Sequence, residues 1–382
     1  MTRSFDSNDL LKDLPAHGGD VLLASEKYGI PVDQWIDLST GINPDPYPIH
    51  SIPAEAFHNL PYFRPGFIKA VNQYYQQDGF LPIPGSQSVI QILPKSLNEL
   101  LKDCEEPLDV MVPEVGYREH HDQWKRYSNP IHYYRSDSLK NMIDDIGSGI
   151  EANPKQHVVI IRPNNPTTTM VDIPQLLDWS GKLNKNCFLI VDEAFIDTTL
   201  EESLLTLSEL PENIIVLRSF GKFFGLAGIR LGFVFAKRDL LRSMSGEIGL
   251  WQVNGPAQYI AEKALNDAHW QQQARSDIKR SALKTRELFT PIEVRFQLKQ
   301  PLQHDLFRSY PMSLVCALTI NHCLASEGIL TRVIVLDDSK ALLRVGNIHH
   351  AQPSTLLRVS EAVQALCDEH KFTDLLSSFI RG

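Results

Sequence analysis

The chain lacks a membrane-length apolar run, a cysteine set suited to disulfides and any excess of positive charge. Its longest apolar stretches are short pieces such as 158–161 and 187–191, far below the roughly 20 residues that span a bilayer. The five cysteines, Cys104, Cys187, Cys316, Cys323 and Cys367, are odd in number, scattered and without metal-ligand spacing. That pattern excludes a disulfide framework and points to a reducing compartment. The formal net charge is −9, so nothing steers the protein toward a polyanion such as a nucleic acid. Any anion it handles must be met by local arginines. The first thirteen residues are polar and hold no apolar signal core. A soluble, cytoplasmic protein with neither membrane nor nucleic-acid partner is expected.

What is present is an ordinary globular composition, 43% hydrophobic and 22% charged over 382 residues, long enough for a large domain and a smaller one. The middle of the chain alternates short β-branched runs at 108–112, 157–162, 187–192, 214–219 and 231–236 with amphipathic stretches at 173–183, 200–207 and 257–266. Apolar strands separated by helices predict a largely parallel sheet with helices on its faces. Before residue 52 the chain is rich in Pro, Gly and Asp, with one short strand at 35–39. After residue 288 the pattern changes again, with strands expected at 294–298, 328–335 and 341–345 and helices at 314–326 and 354–369. The expected division is an arm over 1–52 joining a small α+β domain over 289–382, and a large domain over 53–288.

The segment Ser219-Phe220-Gly221-Lys222-Phe223-Phe224-Gly225-Leu226-Ala227-Gly228-Ile229-Arg230 follows an apolar strand. A lysine just past a strand end sits at the mouth of an α/β sheet, where ligands bind. Phenylalanines on both sides desolvate it, which disfavours the ammonium and makes the amine nucleophilic. Ser219 and Arg230 flank it and suit one phosphate. A surface lysine beside a glycine-rich turn is the plainer reading of this segment alone, and the glycine spacing is not that of a dinucleotide site. Other motifs add weight. Val191-Asp192-Glu193-Ala194-Phe195 ends a strand with an aspartate. Pro84-Gly85-Ser86-Gln87 feeds a helix start, where free N–H groups and the dipole favour an anion. Asn164-Asn165-Pro166-Thr167-Thr168 and Glu114-Val115-Gly116-Tyr117 each follow a strand.

Together these segments resemble fold-type I pyridoxal-phosphate enzymes, the group of histidinol-phosphate aminotransferases and threonine-phosphate decarboxylases. The resemblance implies the α/β fold of that group, with a mostly parallel seven-stranded sheet in the large domain. It implies pyridoxal 5'-phosphate as cofactor, held as a Schiff base on Lys222. Lys222, Asp192 and Tyr117 are then catalytic, with Tyr117 stacking on the cofactor ring. Ser86, Gln87, Ser219 and Arg230 bind its phosphate, the first two through backbone amides, and Asn165 meets its phenolic oxygen. Tyr62 reaches the phosphate of a neighbouring subunit, which implies a homodimer with shared sites. The chain departs from the family pattern at Phe195, where tyrosine is usual, at Thr168, where glycine is usual, and at Arg162, where asparagine is usual.

On the substrate side the resemblance assigns Arg344, in Leu342-Leu343-Arg344-Val345-Gly346, to a carboxylate, and Arg332, in Gly328-Ile329-Leu330-Thr331-Arg332, to a substrate phosphate. The early His17-Gly18-Gly19 and the turn Gly41-Ile42-Asn43-Pro44 look like threonine-phosphate decarboxylases of cobalamin biosynthesis. They suggest His17 at the phosphate and Asn43 facing substrate. The expected reaction is decarboxylation of L-threonine O-3-phosphate to (R)-1-aminopropan-2-ol phosphate, which makes the enzyme a lyase. The alternative is an aminotransferase for a phosphorylated substrate such as histidinol phosphate. A regulator carrying a cofactor-binding domain is a third reading; it predicts a basic DNA-binding segment, and none precedes His17 in this sequence. The adjacent pairs His120-His121 and His349-His350 are not expected to chelate a metal, because neighbouring side chains on a helix or strand diverge.

Overall fold

The structure, a computed structural model, describes residues 14, 15, 17–101 and 107–368. The polar start 1–13, Cys104 and Glu369, the last residue of an expected helix, lie outside the described residues. First comes helix α1 (Val21–Tyr28), capped by the Asp20 carboxylate accepting from the Leu23 N–H, then strand β1 (Ile36–Asp37). Next are α2 (Pro65–Tyr75), β2 (Phe80–Ile83), α3 (Ser86–Leu100), β3 (Asp109–Pro113), α4 (Glu119–Arg126), β4 (Ile131–Tyr134), α5 (Leu139–Ala152) and β5 (Gln156–Ile161). They are followed by α6 (Ile173–Lys182), β6 (Leu189–Asp192), β7 (Ile214–Ser219), β8 (Gly232–Phe235), α7 (Arg238–Ile248) and α8 (Gly255–Asn266). The last elements are α9 (Ala268–Arg295), β9 (Leu302–His304), β10 (Phe307–Ser313), α10 (Leu314–Ser326), β11 (Ile329–Leu330), β12 (Arg332–Val335), β13 (Lys340–Gly346) and α11 (Pro353–Cys367). Among the described residues no helix is long and apolar enough to cross a membrane.

Two compact units result. One is Pro46–Gln273; the other joins the described residues up to Asp45 to those from Ala274 on. In the first unit seven strands line up as β2-β8-β7-β6-β5-β3-β4. Only β8 runs against its neighbours. The expected mostly parallel seven-stranded sheet is therefore present. Every residue of β5 and β6 is buried, which is why these runs read as continuously apolar rather than alternating. Helices start where the chain supplies an acceptor: Asp172 caps α6 and Asn254 caps α8, each just ahead of a proline in the first turn.

In the second unit β12-β13-β10-β9 form an antiparallel sheet, and β1 pairs in parallel with β11. Leu38 joins Phe289, Tyr310, Leu318, Leu343 and Val359 in one apolar core, so the early arm is built into the same core as the C-terminal elements.

Three local expectations are corrected. Residues 200–207 do not make a helix; two short 3-10 pieces, Ile196–Glu202 and Leu204–Thr206, stand there. Glu193 draws this stretch inward by accepting from Ser203 Oγ and the Leu204 N–H. Residues 294–298 are not a strand: α9 runs through Pro291 to Arg295, and the strands lie later, at β9 and β10. His349 and His350 do not diverge. They sit in a turn after β13 with rings stacked 5.2 Å apart, and their Nε2 atoms face different carboxylates, Asp45 and Asp277, at 3.6 Å each.

Candidate active site

Parallel strands end together, so residues just past β3, β5, β6 and β7 meet at one edge of the sheet. Ser86, Gln87, Tyr117, Asn165, Asp192, Ser219, Lys222 and Arg230 line one cleft there, with Phe195 among its walls. The space within the cleft, its solvent-open mouth included, is about 750 Å³. Lys222 Nζ lies 5.5 Å from the centroid of the Phe195 ring. Beneath it Phe220, Phe223 and Phe224 are fully buried, and Phe220 and Phe224 stack at 4.2 Å.

One end of the cleft is built for an anion. Helix α3 begins at Ser86, and the first N–H groups of a helix have no acceptor within it. Gly85 adopts φ +83°, and a Cβ there would come within 2.9 Å of an Arg230 guanidinium nitrogen. A Cβ on Gly232 would meet the Arg218 carbonyl at 2.7 Å and the Ser86 nitrogen at 2.8 Å. These two glycines let the guanidinium, the helix start and the strand edge close on one point.

The other end holds a buried acid. Asp192 is 4% exposed. One carboxylate oxygen accepts from the Ala194 N–H at 3.1 Å, and the other meets His120 Nε2 at 3.0 Å. A carboxylate only accepts, so the imidazole Nε2 carries the hydrogen. The sequence flagged His120 only as half of a histidine pair. Its partner lies 72 positions away, so no local signal in the sequence pointed to the pairing.

The second unit holds another group of the expected residues. Arg332 and Arg344 are direct partners across β12 and β13. Residues opposite each other in an antiparallel pair share a sheet face. Arg344 is buried and donates to the Ser39 carbonyl at 2.5 Å. Burial, then the Arg332 charge, pulls its pKa down to about 9, with Asp37 opposing. His17, Ser39 and Arg332 line one pocket. Asn43 is buried, and its side-chain carbonyl accepts from the Asp45 N–H, which gives it a turn-forming role. Tyr62 is 71% exposed, edge-to-face with Trp251. Among the described residues no cluster of three or more His, Cys, Asp or Glu is arranged to hold a metal.

Residues 33–304 match the family described as Aminotransferase class I and II. The chain belongs to this family. It is 36% identical over 260 residues to a threonine-phosphate decarboxylase from Pseudomonas aeruginosa, covering 67% of this chain and 72% of that protein. It is 31% identical over 136 residues to histidinol-phosphate aminotransferase 1 of Legionella pneumophila, covering 36% of this chain and 37% of that one. The crystal structure of the histidinol-phosphate aminotransferase from Clostridium acetobutylicum superposes with a TM-score of 0.69 at 20% identity, over 86% of this chain and 98% of that one. This last likeness concerns the fold.

Within the aminotransferase family the departures of this chain have structural settings. Arg162 is 2% exposed and donates to the Val171 carbonyl and, at 3.0 Å, to Glu193. Glu193 also accepts from Arg218 at 3.1 Å, and Arg218 donates to Asp197. Two cations and two carboxylates thus form a neutral buried cluster that joins the ends of β5, β6 and β7. Burial pulls the Arg162 pKa down against Glu193. Burial acts likewise on Arg218, but Asp197, Tyr75 and Glu193 outweigh it and raise its pKa. Thr168 has φ +62°, a region β-branched residues seldom occupy. Thr168→Gly is expected to stabilise the fold by about 0.5–1 kcal/mol, the relief of strain less the added freedom of the unfolded chain. Urea unfolding checks this; an unchanged or lower midpoint would refute it.

Proposed function

We propose that this protein decarboxylates L-threonine O-3-phosphate to (R)-1-aminopropan-2-ol phosphate, using pyridoxal 5'-phosphate, as a lyase of cobalamin biosynthesis. The observation that carries the substrate class is the register pairing of Arg332 with Arg344. Two guanidinium groups facing each other across strands repel. A ligand with two separate anionic groups relieves that repulsion, and a phosphorylated amino acid has them. The first-named relative supports the reaction, since its likeness covers about twice as much of this chain as that of the Legionella aminotransferase.

The first cleft fits the cofactor. When bound, pyridoxal phosphate supplies an aldehyde that condenses with an amine and a protonated ring that takes up the electron pair of a bond broken at the substrate Cα. Lys222 provides the amine. Asp192, held by His120, places a negative charge at the ring nitrogen and favours its protonated form. Ser219, Arg230 and the backbone amides of Ser86 and Gln87 hold the phosphate. Asn165 would meet the phenolic oxygen, and Tyr117 would cover one face of the ring. Phe195 has no hydroxyl, so Asn165 acts at the phenolic oxygen without the tyrosine that is usual there.

Arg344 grips the substrate carboxylate, and Arg332 with His17 holds its phosphate, while Asn43 braces the adjoining turn. An anion at Arg344 restores the proton affinity that burial removes. Which bond at Cα breaks would depend on how the bound substrate is oriented. Orientation of this kind is worth on the order of 7–11 kcal/mol. An aminotransferase would use the same anchors and break Cα–H instead, so the reading is tested with threonine phosphate and no keto acid. Stoichiometric carbon dioxide supports decarboxylation; amine transfer to 2-oxoglutarate without carbon dioxide replaces it with the aminotransferase.

Arg332→Ala is expected to raise KM for the phosphorylated substrate roughly 10- to 150-fold, the loss of one charged hydrogen-bonding partner, and to alter unphosphorylated amino acids far less. Equal losses on both remove Arg332 from the phosphate.

The working unit is a homodimer in the cytoplasm. Phe57, Leu60, Tyr62, Leu250 and Trp251 are exposed apolar residues of one unit, a composition suited to covering by another chain. Tyr62 then extends to the cofactor phosphate of the neighbouring copy. Light scattering that finds only monomer at micromolar concentration removes this arrangement.

A further inference from the structure

Gln87 lies in the first turn of α3, where only its backbone amide has a role so far. Its side chain has a second setting. Tyr117 Oη donates to Gln87 Oε1 at 2.9 Å, and Gln87 Nε2 donates to Glu119 Oε2 at 2.7 Å. The direction of this chain is fixed by chemistry. An ionised carboxylate only accepts, so the amide must turn its NH₂ toward Glu119 and its carbonyl toward the tyrosine. The phenol is therefore the donor, and its hydrogen points at Gln87.

The same tyrosine is tied at its backbone. Its carbonyl accepts from the His120 N–H at 3.2 Å, and the two rings meet edge-to-face at 6.4 Å. His120 in turn holds Asp192. Gln87 thus closes a path from the anion-binding helix start, through Tyr117, to the buried acid at the far end of the cleft.

We infer that the Gln87 side chain is a positioning residue: it locks the tilt of the Tyr117 ring and couples the phosphate-binding turn to the stacking face. This rests on the cofactor reading of the cleft. The role belongs to the carboxamide, which accepts from the phenol and donates to the carboxylate at once.

The test uses purified full-length protein loaded with pyridoxal phosphate, with cofactor dissociation and circular dichroism in the visible cofactor band as readouts. Gln87→Met and Tyr117→Phe each remove the hydrogen bond and are expected to weaken cofactor binding by roughly two- to twelvefold, with a changed dichroic band. The double variant is expected to lose no more than either alone. Gln87→Glu keeps the acceptor but loses the donor to Glu119. One proton shared between the two carboxyls restores the bridge, so its affinity relative to wild type is expected to recover as pH falls. Additive losses, an unaltered Gln87→Met dichroic band, or a pH-independent Gln87→Glu ratio each overturn the inference. Wild-type protein that binds no pyridoxal phosphate at all would instead overturn the cofactor reading.

Discussion

Lys222→Ala is expected to abolish the visible absorbance of the bound cofactor and to lower turnover by on the order of 10⁴-fold or more, since in the proposed function the amine would both carry the cofactor and move protons at the reacting carbon. Lys222 lines the cleft between Phe195 and the Ser219 strand end, and the other lysines among the described residues lie outside that lining. The phenylalanines beneath it are packed against one another and against Trp270, so the shortened side chain leaves the fold intact. Absorbance spectroscopy and mass measurement after borohydride reduction check it. A pyridoxyl group found on another residue, or an unchanged spectrum, removes Lys222 from its place.

Glu193→Gln is expected to destabilise the protein by about 3–5 kcal/mol, the magnitude found when one partner of a buried ion pair is removed. The carboxylate serves Arg162, Arg218, Ser203 Oγ and the Leu204 N–H together, and it is fully buried. Without its charge, Arg162 loses its buried carboxylate partner, and Arg218 is left with Asp197. The loss is read as a lower midpoint in urea at neutral pH. Stability within 1 kcal/mol of wild type would mean that the neutral amide hydrogen bonds suffice and that charge balance is not what holds the three strand ends.

The parts of this protein legible in its sequence are those where one residue type has one use. Strands buried on both faces leave unbroken apolar runs, so β5, β6 and β7 stood out. Strands β2 and β4 did not, because both lie at the edges of the sheet and β4 leaves His132 and Tyr133 exposed. Lys222, Asp192 and Arg230 follow strands in a recognisable order, and the structure brings them into one cleft. His120 and Gln87 were hidden for a different reason. Their settings depend on side chains distant in sequence, Asp192 being 72 positions from His120 and Tyr117 being 30 from Gln87, and no local pattern announces such a bond. Arg162 looked like a mere departure from a motif until Glu193 was found beside it.

In this chain the residues that face the cleft and those that brace it are immediate neighbours: Asp192 beside Glu193, and Ser219 beside Arg218. Superstructure and foundation therefore share the same two strand ends. A single-residue deletion in β6 or β7 exchanges the two populations, turning an anchoring charge toward the reagents and a reactive one into the bedrock. Such lesions should be far less forgiving than most point substitutions there, and this part of the gene should vary by replacement and seldom by length.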